Sequence, residues 1–377
     1  MAKIEFRIPL LFMVAGFLAL LVAVWAGLIR LGWGLPVLQP ALLSSHGPLM
    51  ISGFLGTVIG IERAVALSSL SENPNYRWTY LGPLFTGLGT LALVAGRTDS
   101  LGPLLMTVGS LSLVFVFGLI LRLHLALYTI IMATGALLWL IGNILWLSGW
   151  PIWIAVSWWS GFLILTIAGE RMELNRVLFL TGTVRTIFVA AICLFLAGLV
   201  LQLFNFGLGV QVAGFGVFAI ALWLLRYDVA RHTVRKSGLT RYIALCLLAG
   251  YIWLAFGGLL AISYGGVTAG LKYDALQHTV FIGFVFSMIF GHAPIIFPAI
   301  TGRQVPFQPI FYSQLVLLHL SLLLRVIGDL AVWLPARQLG GLLNAVAILL
   351  FLVNTVRAMR SAPARQASSK ITPRSVT

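Results

Sequence analysis

The stretch SSHGPLMISGFLGTVIGIERAVALSS, residues 44–69, decides how the chain is read. The run between His46 and Glu62 carries no charge, and a helix needs about 20 apolar residues to cross a bilayer. A histidine marks one end of the run and a Glu-Arg pair, Glu62-Arg63, the other. Ionisable side chains are costly in hydrocarbon, so finding them at both ends of one apolar helix raises a question of function.

The pattern recurs outward from this stretch. The chain has 377 residues, of which 60% are hydrophobic and 9% charged, with a mean hydropathy of +1.04. A soluble domain carries about a quarter charged residues. Apolar runs of membrane length follow one another from Pro9 to Met359, at 9–32, 46–69, 78–96, 101–122, 125–148, 151–171, 184–205, 209–228, 240–264, 273–300, 309–329 and 333–358. They are continuous rather than alternating, which argues against a barrel. The expectation is an all-α polytopic membrane protein of about twelve transmembrane helices. It forms one domain over 1–360, followed by a disordered basic tail over 361–377.

The formal net charge of +15 does not imply nucleic acid, because its distribution follows topology. With the N-terminus inside, only Arg30, Arg97, Lys272, Arg325 and Arg337 fall on the outer side. Arg226, Arg231, Arg235, Lys236 and Arg241 crowd the inner loops. That bias is the positive-inside signal and predicts cytoplasmic termini in the cell's inner membrane, with the bilayer as partner. The first helix lacks a small-residue cleavage site and reads as an uncleaved span. Cys193 and Cys246 fall inside helices and read as packing residues rather than a disulfide.

An internal repeat organises the helices. SGFLGTVIGIER (52–63) aligns without gaps on SGFLILTIAGER (160–171), both opening on SGFL and closing on Glu-Arg. IGFVFSMIFGHA (282–293) shares the Gly-Phe pair and places His292 where the others have Glu62 and Glu170. These segments lie on helices 2, 6 and 10, so the chain reads as three pseudo-repeats of four, at about 9–122, 125–228 and 240–358. Small residues on such faces also simply let membrane helices approach.

Four histidines fall in helices. His46 and His278 open helices 2 and 10, which run the same way, so both sit at similar depth near the outer side. Two neutral imidazoles on facing helices can hold a haem iron from both axial sides. Equally, each can bond a nearby carbonyl as an ordinary interfacial residue. Fourteen residues separate His278 from His292; at 1.5 Å each that is about 21 Å, too far to share one iron. His292 therefore belongs at the inner side with Glu62 and Glu170, and Glu173 lies one turn beyond. This group could bind a divalent metal or pass protons, or be ion-paired helix ends. His319, in mid-helix 11, could face a haem, a second metal or Ser321. His124 and His232 fall in inner loops and read as solvated.

The three-by-four arrangement, with HGPLMISGF (46–54) opening helix 2 and His278 opening helix 10, resembles the catalytic subunit of the haem-copper oxidases. That resemblance implies a low-spin haem b between His46 and His278 in the outer half. It also implies propionate-binding arginines at the helix 11–12 connection, where Arg325 and Arg337 lie. Arg30 and Arg97 are the remaining outer arginine candidates. Asp329, four residues after Arg325, suggests a local ion pair. HTVFIGFVFSMIFGHAPIIFPAITGR (278–303) is similar to a late helix of the NnrS-type haem- and copper-containing proteins linked to nitric oxide metabolism. Helices 6 and 7 contain no histidine, so the three-histidine copper site of the oxidases is not carried over. The implied function is electron transfer or handling of nitric oxide or another diatomic gas, with a redox partner or gas ligand. Two alternatives stand beside it. One is a cofactor-free transporter using the inner Glu and His residues and the Pro294–Pro298 break; the other is an assembly subunit.

Overall fold

The computed structural model describes residues 7–70 and 74–361, so the expected tail lies outside the described residues from position 362 onward. Among the described residues twelve main helices follow one another. They are α1 Arg7–Arg30, α2 His46–Ser68, α3 Leu81–Val94, α4 Leu101–Leu123, α5 Leu127–Leu147, α6 Ile152–Leu174, α7 Gly182–Leu201, α8 Phe206–Tyr227, α9 Gly238–Tyr264, α10 Gly270–Thr301, α11 Phe311–Leu330 and α12 Leu334–Ser361. Eleven of them are long and apolar enough to cross a membrane. The exception is α3, whose 14 residues reach about 21 Å. The helix expected over 78–96 is therefore shorter than the sequence suggests. A 3-10 helix, Pro74–Tyr80, takes up the start of that run, and Gly96 at φ 81° ends it.

Sequence neighbours pack as antiparallel pairs, α5 along α6, α7 along α8 and α11 along α12. The reason is visible in α1 and α2. Gly16, Ala19, Ala23 and Gly27 recur at three- and four-residue spacing and so share one face of α1. A Cβ on Gly53 of α2 would lie 2.9 Å from the Ala19 side chain, and one on Gly16 would lie 3.6 Å from Thr57. Small residues allow this approach, and it replaces the hydrophobic driving force that lipid does not supply. α2, α6 and α10 are the most enclosed of the spans. They occupy the middle of the bundle, and the other helices shield them from lipid.

Two of these central helices depart from α-geometry. α2 is a π-helix over Leu49–Gly56, and α10 over Thr279–Phe286. Each wide segment begins four residues before the shared Gly-Phe pair, Gly53-Phe54 or Gly283-Phe284, and ends two residues after it. π segments are rare and concentrate at functional sites. α6, which carries the same SGFL at 160–163, stays α-helical throughout. The histidines are placed differently against this register: His46 precedes its glycine by seven residues and His278 by five.

At the opposite end of the bundle, α6 is tied to the α8–α9 connection. Arg171 donates from Nε and Nη2 to Asp228 at 2.8 and 3.0 Å, and the Tyr251 hydroxyl of α9 donates to the same carboxylate at 3.0 Å. The backbone N–H of Ala230 completes the set at 2.7 Å. Both side chains are buried. Removing one partner of a buried, fully bonded pair strands the other charge, at a cost of about 3–5 kcal/mol. Asp228→Ala should therefore lower the thermal unfolding temperature of the detergent-solubilised protein markedly. A wild-type melting curve for that variant would show that the pair does not hold α6 in place.

Candidate functional site

A cavity of about 550 Å³ opens at the histidine end of the bundle, between α1, α2, α6, α10, α11 and α12. That volume lies within the range of small-molecule and cofactor sites. Its deep wall is apolar, with Leu55, Phe281, Phe286 and Ile348, and three arginines, Arg30, Arg325 and Arg337, line it as well. Phe286 stacks on Phe54 with ring centroids 6.2 Å apart, closing the space between α10 and α2.

Both histidines predicted from the sequence line this cavity. Their ring centroids are 6.4 Å apart and their planes 28° from parallel. His46 Nδ1 lies 2.7 Å from the Ala23 carbonyl of α1, and His278 Nδ1 lies 2.8 Å from the Asp274 carbonyl one turn earlier in α10. A carbonyl only accepts, so each Nδ1 carries the proton and each Nε2 keeps its lone pair. Metal-binding histidines are fixed in the same way. α1 also provides the room. A Cβ on Gly27 would fall 2.8 Å from His46 Cε1, so the imidazole occupies the place where any other residue would carry a side chain.

The arginines are organised by two aspartates. Arg325 of α11 forms a two-pronged bond with Asp274, at 2.8 and 2.9 Å. Arg337 of α12 lies 3.6 Å from the same carboxylate and 2.9 Å from Asp329. α11 and α12 come this close through glycine. A Cβ on Gly328 would lie 2.4 Å from the Arg337 backbone nitrogen, and one on Gly340 would lie 2.5 Å from that of Arg325. The expected local pair of Arg325 with Asp329 does not form. The bidentate fork favours Asp274 across the helix interface, and Asp329 takes Arg337 instead. Arg30 donates from Nη1 to the Leu43 carbonyl at 3.0 Å. Arg97 does not line the cavity; it is largely exposed and faces Asp99 at 4.0 Å.

Of the two readings of the glutamate end, the structure shows the ion-paired one. Glu62 and Glu170 do come together, but through Arg63, which pairs with both. Among the described residues no group of three or more His, Cys, Asp and Glu is arranged to hold a metal ion. The third member, His292, bonds through Nδ1 to the Met288 carbonyl at 2.8 Å. Glu173 faces Arg176 at 3.7 Å. His319 lies away from the cavity lining. Its Nδ1 accepts from Trp253 Nε1 at 3.0 Å and its Nε2 faces Ser287 Oγ at 3.4 Å, whereas Ser321 bonds Asn344. Cys246 is buried as expected of a packing residue, but Cys193 is exposed, and neither forms a disulfide.

Sequence reasoning reached the two histidines and three of the four arginines that it proposed. It missed Asp274, the Ala23 carbonyl and Gly27. The YDALQH spacing (273–278) held a usable signal for the first, since Asp274 sits one turn before His278. The other two depend on how α1 meets α2.

No curated protein matches the chain. Residues 7–360, which include the whole helical bundle apart from its last residue, match the family described as Domain of unknown function (DUF8744), and the chain belongs to that family.

Proposed function

We propose that this chain is an integral protein of the cell's inner membrane that binds one haem b between His46 and His278 and serves in electron transfer. The proposed topology has three units of four helices with both termini cytoplasmic, counting α3 as a span, and puts the histidine end outside. The shared register of the two π segments supports that repeat. The distant likeness to haem-copper oxidases and NnrS-type proteins belongs to the same proposal and rests on the helix 2 and helix 10 histidines.

One observation carries the reading. A nitrogen ligand lies about 2 Å from a metal and about 1.2 Å from its own ring centre, so two imidazoles sharing one iron have centroids about 6.4 Å apart. The His46 and His278 centroids are 6.4 Å apart. The donor set fits as well, with two neutral imidazoles fixed through Nδ1, an apolar wall for the flat faces and cations for carboxylates. When bound, the haem supplies one-electron chemistry at its iron.

The chain's own residues do the rest. The Ala23 and Asp274 carbonyls hold the tautomers, so neither ring has to reorient when a ligand arrives. Phe281, Phe286, Leu55 and Ile348 keep water from the site. Because His46 and His278 would both be committed to holding the haem, electron transfer is favoured over handling of a gas such as nitric oxide. The alternative of a cofactor-free transporter uses Glu62, Glu170 and His292, and it has less support because Arg63 pairs with both carboxylates.

The test is a reduced-minus-oxidised absorption spectrum of the detergent-purified protein. Sharp b-type bands are expected in the wild type and should be lost in both His46→Ala and His278→Ala. A wild type without a Soret band after expression with ample haem would sink the reading. Gly27→Val, which drives a side chain into the His46 ring, should lower the haem retained per protein several-fold without unfolding the bundle. Full retention would show that the position of His46 does not depend on that gap.

A further inference from the structure

Three arginines line the cavity, and they are not equivalent. Arg325 and Arg337 are enclosed and already committed, sharing Asp274 between them while Arg337 also holds Asp329. Asp329 has no exposed side-chain surface, and Asp274 is 15% exposed. Two guanidinium groups therefore face two carboxyl groups, and both arginines are engaged before any ligand arrives. Arg30 is different. It lies at the exposed edge of the cavity, gives one N–H to the Leu43 carbonyl and, among the described residues, has no carboxylate partner.

Building on the haem reading, we infer that Arg30 is the residue that fixes an ionised carboxylate of the bound haem, while Arg325 and Arg337 hold Asp274 in place and so position His278. Arg325 is 8% exposed and already gives Nε and Nη2 to Asp274, so a ligand carboxylate on it would compete with Asp274 for an enclosed cation. Breaking a buried pair costs more than an exchange of one carboxylate for another returns. Arg30 has no such partner to lose, and a guanidinium has five N–H donors, of which Leu43 occupies one. Asp274 has a second role that its displacement would disturb, because its backbone carbonyl accepts the His278 Nδ1 proton. The lattice Asp329–Arg337–Asp274–Arg325 thus acts on the haem through His278 rather than by touching its carboxylates.

The experiment compares two ligands on the full chain freed of haem. One is haem, and the other is its dimethyl ester, in which both carboxylates are capped; binding is read from the Soret band. A charge-assisted hydrogen bond corresponds to a preference of about tenfold or more for the free acid. Arg30→Gln should lower haem affinity to that of the ester and leave ester affinity unchanged. Arg30→Lys, which keeps the charge, should restore most of the preference. Arg325→Lys should weaken both ligands alike and shift the midpoint potential, as expected of a residue acting through His278. The inference is overturned if Arg30→Gln keeps the full preference and Arg325→Lys removes it. It is also overturned if wild-type protein binds acid and ester equally, although the haem reading then stands. A wild type that takes up neither ligand removes the haem reading, and the inference falls with it.

Discussion

Two hydrogen bonds to backbone carbonyls govern the site, from His46 Nδ1 to Ala23 and from His278 Nδ1 to Asp274. Each bond settles which ring nitrogen carries a proton and leaves the other with a lone pair. Both depend on helix packing that must be right to a few tenths of an ångström. The first requires α1 to lie against α2, which the Gly16, Ala19, Ala23 and Gly27 face permits. The second requires Asp274 to be anchored, which Arg325 and Arg337 achieve from α11 and α12. The small-residue faces and the Asp–Arg lattice are thus parts of the histidine site, although neither contains a ligating atom.

The two ends of the bundle treat charge in opposite ways. At the glutamate end Arg63 pairs with Glu62 and Glu170, while Arg171, Asp228 and Tyr251 close a fully bonded knot. Those charges are paired with one another, which suits holding central helices together. At the histidine end two imidazole nitrogens and one arginine have, among the described residues, no protein partner of matching charge or proton, and a cavity lies among them. Unpartnered groups around a space are what a ligand site requires, and this contrast is the ground for proposing the histidine end as the site.

The sequence was most informative where a single helix decides the outcome. His46 and His278 could be picked out because ionisable residues are rare in apolar runs, and their common depth follows from helix direction. Long helices and the central place of α2, α6 and α10 were legible for the same reason. Features set between helices were not. Asp329 lies one turn from Arg325 and looked like its partner, yet Asp274, 51 positions away, takes that arginine. Glu62, Glu170 and His292, which the repeat aligns, read either as a ligand set or as ion-paired helix ends, and Arg63 beside Glu62 pairs with both carboxylates. The π segments have no signal in apolar composition, and α3 is shortened by the 3-10 segment before Leu81 and by Gly96 in a run that hydropathy alone reads as continuous.

The central claim is that His46 and His278 ligate one iron from opposite sides. Low-temperature electron paramagnetic resonance of the oxidised protein tests it most directly. Imidazole planes only 28° from parallel predict a low-spin ferric signal of the rhombic bis-histidine type, lost in His46→Ala and in His278→Ala. A high-spin ferric signal in the wild type, or a low-spin signal that survives either substitution, would contradict the account.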